Sequence, residues 1–226
     1  LQKACFKIVK AGSSLLRVLG VRGRHVTVLD ITKSDRRAHE LDMNCDEYQK
    51  ALQGSRYLFA KGWLFRDMAN FAKHADTIRE VFAPAPEYAQ RVAALMERAR
   101  RDCDLLVGVH IRQGDYQRWE QGRYFYRSEQ YAEVMRRYRD AQGERRVRFL
   151  VCSNAQQDPA LFEGLDVIFG NDHPVEDLYS FAACDRLLGP PSTYTWWASF
   201  YGAVPLFVVR ALDEPILEEG FQVVFG

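Results

Sequence analysis

Residues 105–116 read Leu-Leu-Val-Gly-Val-His-Ile-Arg-Gln-Gly-Asp-Tyr: an almost wholly apolar run that passes without a break into a cation, an amide, a glycine and a carboxylate. A run that is apolar at every position, rather than at alternate ones, is the pattern of a strand buried on both faces in a parallel sheet covered by helices. The pattern returns as Val-Arg-Phe-Leu-Val-Cys at 147–152, Val-Ile-Phe at 167–169, Arg-Leu-Leu at 186–188 and Val-Pro-Leu-Phe-Val-Val at 204–209. Helical segments separate these runs: Ser128 to Asp140, a short turn at Pro159 to Phe162, Pro174 to Cys184, and a helix opening near Ser192. Such alternation predicts an α/β, Rossmann-like domain with a parallel sheet over residues 103–226.

Upstream the pattern is weaker. Cys5, Ile8, Leu15, Leu16 and Leu19 share one face of a helix over residues 2–19, Val26 to Asp30 and Arg56 to Ala60 read as strands, and Asp46 to Gln53 reads as a short helix. The pattern turns helical after Trp63. Pro86 then suits the first turn of a helix through Arg100, with Val92, Leu95, Met96 and Ala99 at helical spacing. Residues 1–102 are therefore predicted to form a smaller, incomplete α/β region that ends with this helix.

Composition excludes several classes. With 226 residues and 47% apolar content the chain can bury a core without staples, and 31 basic against 30 acidic residues provide no field for a nucleic-acid backbone. The five cysteines (5, 45, 103, 152 and 184) and five histidines are scattered, with neither disulfide-framework nor zinc-ligand spacing. A reducing, cytoplasmic location without a metal is the expectation. The opening residues are too interrupted by lysine for a signal peptide. The uncharged stretch from Leu187 to Val209 contains Gly189, Pro190, Pro191 and Pro205, so it reads as buried interior and not as a membrane span.

In an open parallel sheet, ligands bind outside the carboxyl ends of the strands. The first run delivers His110, Arg112, Gln113 and Asp115 there, the second Ser153 and Asn154, the third Asn171 and Asp172, and the fourth Ser192 and Thr193 at the opening of a helix. A guanidinium fork and a helix N-terminus at one rim point to a nucleotide or phosphorylated ligand. Each residue also has a plainer reading. His110 fits a core histidine, Arg112 a partner of Asp115 or Asp177, Ser192 an N-cap, and Trp196 and Trp197 core packing. Asp102-Cys103-Asp104 is a DxD triplet, but it precedes its strand and so reads as a solvated turn. The arginines at 136, 137, 139, 145, 146 and 148 read as a solvated surface, with a membrane or glycolipid surface as the alternative.

The segment Val107–Tyr116, VGVHIRQGDY, resembles the HxRRxD-type motif of the fucosyltransferase superfamily, and is most similar to glycosyltransferase family 11, the α-1,2-fucosyltransferase-like family. Tyr57–Phe82, Tyr124–Met135, Phe149–Asn154 and Glu176–Gly202 resemble further family motifs in order, so that the likeness spans roughly residues 55–209. It implies a GT-B-like fold of two Rossmann-like halves, with the donor in the C-terminal half and the acceptor met largely by the N-terminal region. The implied reaction transfers L-fucose from GDP-β-L-fucose to a hydroxyl of a glycan or glycolipid, with inversion and without metal or cofactor. In this resemblance Arg112 stabilises the departing diphosphate. Ser192 and Thr193 hold phosphate or ribose, while Asp177, Ser153 and Asn154 read guanine and ribose. Asp115 and His110 are the nearest candidates for the general base. Gln113 replaces the second arginine, Asn154 a common aspartate, and Pro190, Pro191 and Thr193 alter the Asn-Ser-Ser turn. The family's N-terminal glycine-rich segment, of the GGLGNQ type, does not occur in this sequence. The alternatives are a transferase for another GDP-sugar and a catalytically silent nucleotide- or glycan-binding protein.

Overall fold

The computed structural model describes residues 26–31, 40–62 and 64–224; the helix expected over 2–19 lies outside them. The chain forms two compact units, Leu1–His74 and Ala75–Gly226. In the first, strand β1 (Val26–Asp30) pairs in parallel with β3 (Tyr57–Lys61), and the two-residue β2 (Leu41–Asp42) with β4 (Phe65–Arg66). Lys61 Nζ lies 3.0 Å from Asp30 Oδ2 across the ends of the longer pair. Among its described residues the unit also holds helices α1 (Asp46–Gln53) and α2 (Met68–Lys73). Asp67 caps α2 by accepting from the Asn70 N–H, as a residue before a first helical turn does when its short side chain carries an acceptor.

The second unit opens with α3 (Ala75–Val81) and α4 (Pro86–Ala99) and then alternates strand and helix: β5 (Leu105–Ile111), α5 (Ser128–Ala141), β6 (Val147–Ser153), β7 (Asp166–Phe169), α6 (Pro174–Phe181), β8 (Arg186–Gly189), α7 (Thr193–Gly202) and β9 (Leu206–Val208). All five strands run parallel in the order β7-β6-β5-β8-β9. The first strand is thus central, the next two are added on one side, and the chain then crosses over to add two on the other. That is the doubly wound order, with its switch point beside β5. The α/β class and the parallel sheet agree with the sequence reading.

All seven residues of β5 are buried. Leu105, Val107, Val109 and Ile111 pack with Tyr131, Met135 and Tyr138 of α5. The alternate face carries Leu106, which packs with Leu95 and Ala99 of α4, Phe181 of α6 and Ala198 of α7. Helix α4 therefore belongs to the five-stranded sheet of the second unit. The line drawn at 102/103 from chain order differs from the boundary between compact units, at 74/75, because the α4 stripe finds its apolar partner in β5 and β6. Gly108 and Gly202 permit close approaches of helix to sheet and of helix to helix. A Cβ on Gly108 would sit 2.6 Å from Phe181 and 2.7 Å from Leu187, and one on Gly202 would sit 1.8 Å from the Ala182 carbonyl oxygen.

The uncharged stretch from 187 onward is β8, α7 and β9, interior to this unit, and among the described residues no helix is long and apolar enough to cross a membrane. Trp196 packs against the α4-side core, and Trp197 meets Phe82 edge to face and lies tilted against Phe200. Cys45, Cys103, Cys152 and Cys184 carry free thiols.

Gly108→Ala is expected to overpack the α6–sheet contact and to destabilise the fold by about 1–3 kcal/mol. Urea unfolding checks this: the midpoint falls while the slope is kept, and an unchanged midpoint would count against the close approach.

Candidate functional site

A cavity of about 540 Å³ opens at the carboxyl edge of the sheet, beside the switch point. Four strand ends wall it: His110 and Arg112 after β5, Cys152 to Gln156 after β6, Asp172, Pro174 and Asp177 after β7, and Tyr194 after β8. The volume lies within the range of small-molecule sites, roughly 300–1,000 Å³.

His110 reaches the cavity because it falls on the α4–α6–α7 side of β5, between Phe181 and Tyr194, whose rings lie 5.9 and 5.1 Å from the imidazole. The residue is 3% exposed, and its Nδ1 is buried without a hydrogen-bond partner among the described residues. Burial, and after it the Arg112 charge, push the imidazole down to about 3, with Asp115 acting in the opposite sense. It is neutral at physiological pH, suited to a hydrogen bond with a ligand and poorly suited to taking up a proton.

Arg112 is held on one side. Its Nη2 donates to Asp115 Oδ2 at 3.0 Å, and its Nε lies 3.0 Å from Oδ1 in a close ionic contact. Its guanidinium carbon stands 5.7 Å from the Tyr116 ring centroid. The Arg112 hydrogen bond holds the Asp115 carboxyl below the usual carboxylate range. Asp115 thus orients Arg112 and does not itself line the cavity.

The loop behind this pair is fixed by amides. Asn154 Oδ1 accepts from the Gln113 N–H at 2.8 Å, while Asn154 Nδ2 donates to the Gln113 carbonyl at 3.2 Å. Gly114, with φ +58, makes the turn, and a Cβ there would stand 3.2 Å from Asn154 Nδ2. The Gln113 side chain points away from the cavity: it donates to Ser128 Oγ, which donates to Gln157 Oε1, and Gln157 Nε2 closes the ring on Gln113 Oε1 at 3.3 Å. Ser153 Oγ accepts from Gln157 and from the Ala155 N–H. Asn154 and Ser153 line the cavity, yet their polar atoms also hold the loops.

Asp177 lies in the first turn of α6 at 5% exposure, accepting the Asn171 N–H at 3.0 Å. Burial pushes its carboxyl up to about 6, against the pull of the Asn171 N–H and the Cys152 thiol, with Asp172 and Glu176 raising it further. Glu176 beside it is also buried. There burial is outweighed by Asn171 and by Arg91 of α4, whose Nε stands 2.6 Å from Oε1, and the carboxyl stays low. Gly170 is required here, since a Cβ would lie 2.4 Å from Asp177 Oδ1 and 2.6 Å from Cys152 Sγ.

The structure therefore brings His110, Arg112, Ser153, Asn154 and Asp177 to one cavity, and leaves Asp115, Ser192 and Thr193 off its wall. Ser192 caps α7 by accepting from the Tyr194 N–H. Tyr194, which the sequence reading passed over, lines the cavity from the uncharged stretch and donates its hydroxyl to the Pro174 carbonyl. Asp102 and Asp104 sit at the opposite edge of the sheet, where Asp104 pairs with Arg146 at 2.9 Å and falls to about 2.

The sequence matches no protein-family model and no curated protein sequence. Its structure is similar to that of a mutant of Arabidopsis thaliana FUT1 in complex with GDP, with a TM-score of 0.54 at 12% identity, over 87% of this chain and 52% of that one. The two share a fold. It is the α/β, GT-B-like class expected from the sequence, and the chain spans about half the length of FUT1. Two structures of POFUT1, with GDP and with GDP-fucose, give TM-scores of 0.47 and 0.48 at 12% and 11% identity, over 73% and 70% of this chain and 59% and 55% of theirs.

The raised Asp177 carboxyl has a definite sign. Between its unfolded value of 3.8 and about 6 the folded state keeps a proton that the unfolded state has lost, so Asp177 makes the fold less stable as pH rises across that window. Asp177→Asn abolishes this dependence. Relative to wild type the variant is expected to gain about 2 kcal/mol between pH 4 and pH 7. Urea unfolding at the two pH values measures the gain, and a pH-independent difference would refute the buried-carboxyl assignment.

Proposed function

We propose that this chain carries the donor-binding half of an inverting glycosyltransferase that moves L-fucose from GDP-fucose to a glycan hydroxyl. The observation that supports this most directly is the cavity at the switch point of the β7-β6-β5-β8-β9 sheet, walled by Arg112, His110 and Asp177 together. The fold shared with a GDP-bound FUT1 supports the same reading.

Transfer from a nucleoside diphosphate sugar breaks the bond between the anomeric carbon and a phosphate oxygen, so negative charge grows on the leaving group while positive charge grows on the sugar. A preorganised cation at the phosphate is then the most effective single contribution. Arg112 supplies it. Its partner Asp115 fixes one edge of the fork, so little reorganisation is needed when charge develops. Neutral His110 completes its missing hydrogen bond on the phosphate or sugar. Asp177 reads the base, because a carboxylate accepts from the two adjacent N–H donors on one edge of guanine. The N-terminal dipole of α7, whose Tyr194 lines the cavity, favours an anion there. Arg112 and the helix end take the part that a divalent ion plays elsewhere, and the donor is a substrate, with no separate cofactor. The α-1,2 linkage and a glycan or glycolipid acceptor follow the family 11 resemblance.

A second reading is favoured by Gln113. With its side chain closed in the Ser128–Gln157 ring, Arg112 is the one arginine on the described cavity wall, which suits a protein that binds a GDP-sugar without transferring it.

Arg112→Ala is expected to lower kcat/KM by about tenfold to a hundredfold, the equivalent of one charge-assisted hydrogen bond in the transition state. Calorimetric titration with GDP, GDP-fucose, GDP-mannose and UDP supplies the binding arm. Binding of GDP and GDP-fucose but not UDP, lost in Arg112→Ala, is the expected result; full turnover by the variant would refute the role. GDP-fucose binding without turnover on an acceptor panel selects the second reading. Activity is expected to persist in excess chelator, and loss restored by Mg or Mn would overturn metal independence.

A further inference from the structure

The loop that carries Arg112 continues into a row of aromatic rings that no step above uses. Two 3₁₀ turns, Gly114–Gln117 and Trp119–Gly122, follow Arg112 directly. Along them the Tyr116 and Trp119 centroids lie 4.7 Å apart, and those of Trp119 and Tyr124 lie 5.5 Å apart. Tyr116 is buried, with its hydroxyl donated to the Pro191 carbonyl, and its ring neighbours the Arg112 guanidinium. Trp119 is 41% exposed. The row thus begins at Tyr116, beside Arg112 of the cavity wall, and reaches solvent at Trp119.

The backbone holding the indole is unusual. Glu120 (φ 48, ψ 38) and Gln121 (φ 59, ψ 29) are consecutive non-glycine residues in the left-handed region, and Gly122 follows at φ 77. Left-handed conformation is unfavourable for side-chain-bearing residues and persists where a site over-determines it. Here the strain is not needed to bury anything, because Glu120, Gln121 and Trp119 are all exposed. Beside Trp119 in the chain lie the exposed amides of Gln117 and Gln121, the exposed cations Arg118 and Arg123 and the anion Glu120, while Asp115 is taken up by Arg112. The turn thus carries an exposed apolar ring with hydrogen-bonding side chains on either side of it in the chain and no excess of negative charge.

We infer that Trp119, backed by Tyr116 and Tyr124, is a saccharide-stacking subsite that receives a neutral sugar chain beside the Arg112 cavity. A pyranose ring presents a face of C–H groups to an aromatic plane and hydroxyls to its edge, the complement of what this turn displays. Resting on the transferase reading, the inference names this turn as a contact for the acceptor, in addition to whatever residues 1–102 contribute. Acceptor and donor must meet at the cleaving bond, and the aromatic row leads to the residue assigned to that bond.

The test uses the full chain, loaded with GDP and labelled, on a printed array of neutral β-galactosides, mannosides and glucans, with calorimetric GDP titration in parallel. Wild type is expected to bind a subset of these glycans. Trp119→Ala is expected to weaken that binding at least about tenfold, and Trp119→Phe to keep most of it. GDP affinity and the urea midpoint are expected to stay unchanged in both variants. Absence of glycan binding by wild type, or equal binding by Trp119→Ala, would overturn the subsite. Selective capture of acidic glycans alone would also overturn it, by showing that charge and not stacking governs the surface. Failure of wild type to bind GDP would instead strike the transferase reading, leaving the array to decide the role of Trp119.

Discussion

The burial of β5 on both faces and its hydrogen bonding along both edges constrain everything else in the second unit. A strand in that position cannot place a charge along its length, so its chemistry is confined to the point where it leaves the sheet. Its side neighbours β6 and β8 carry an arginine only at their amino ends, Arg148 and Arg186, and their carboxyl ends meet at the same edge as that of β5. The cavity is the place where buried strands first become free to carry His110, Arg112, Ser153 and Asn154. Gly108 adds to this by letting Phe181 settle on the strand, which draws α6, and with it Asp177, toward the same edge.

Within the cavity the polar groups divide into those that face a ligand and those that hold the facing ones still. Arg112 is steadied by Asp115, and the turn carrying both is steadied by Asn154. The ring of Gln113, Ser128 and Gln157 is neutral, so it stabilises the loop without altering the field that Arg112 exerts. The two buried acids of α6 show how neighbours decide protonation. Glu176 has Arg91 and stays charged, whereas Asp177, one residue on, has no cation and holds its proton until about pH 6.

Much of the second unit was legible from residues 105–209 because strands buried on both faces must be apolar throughout, and helices between them must carry stripes. The first unit was less so: β2 and β4 are two residues each, too short for any period to register. Chain order placed α4 with the residues before it, since periodicity reveals that a helix has an apolar face and not which sheet receives it. At the site, His110 and Arg112 were visible because polar residues at the end of an apolar run stand out. Tyr194 was not, because an aromatic inside an uncharged stretch looks like core. Ser192 turned out as the plain N-cap its sequence context allowed. Trp119 escaped because its exposure comes from left-handed backbone at Glu120 and Gln121, a conformation for which those residue types give no cue.

Gly202 bears on how the cavity can respond to an occupant. Its missing side chain lets α7 rest backbone to backbone on Ala182 at the end of α6, and at their beginnings the Tyr194 hydroxyl ties α7 to Pro174. The two helices are riveted at both ends and form a single slab bearing Asp177 and Tyr194. That wall behaves as an anvil: it keeps its shape. A ligand has to fit that wall as it stands, so discrimination by size is built into the α6–α7 side of the opening.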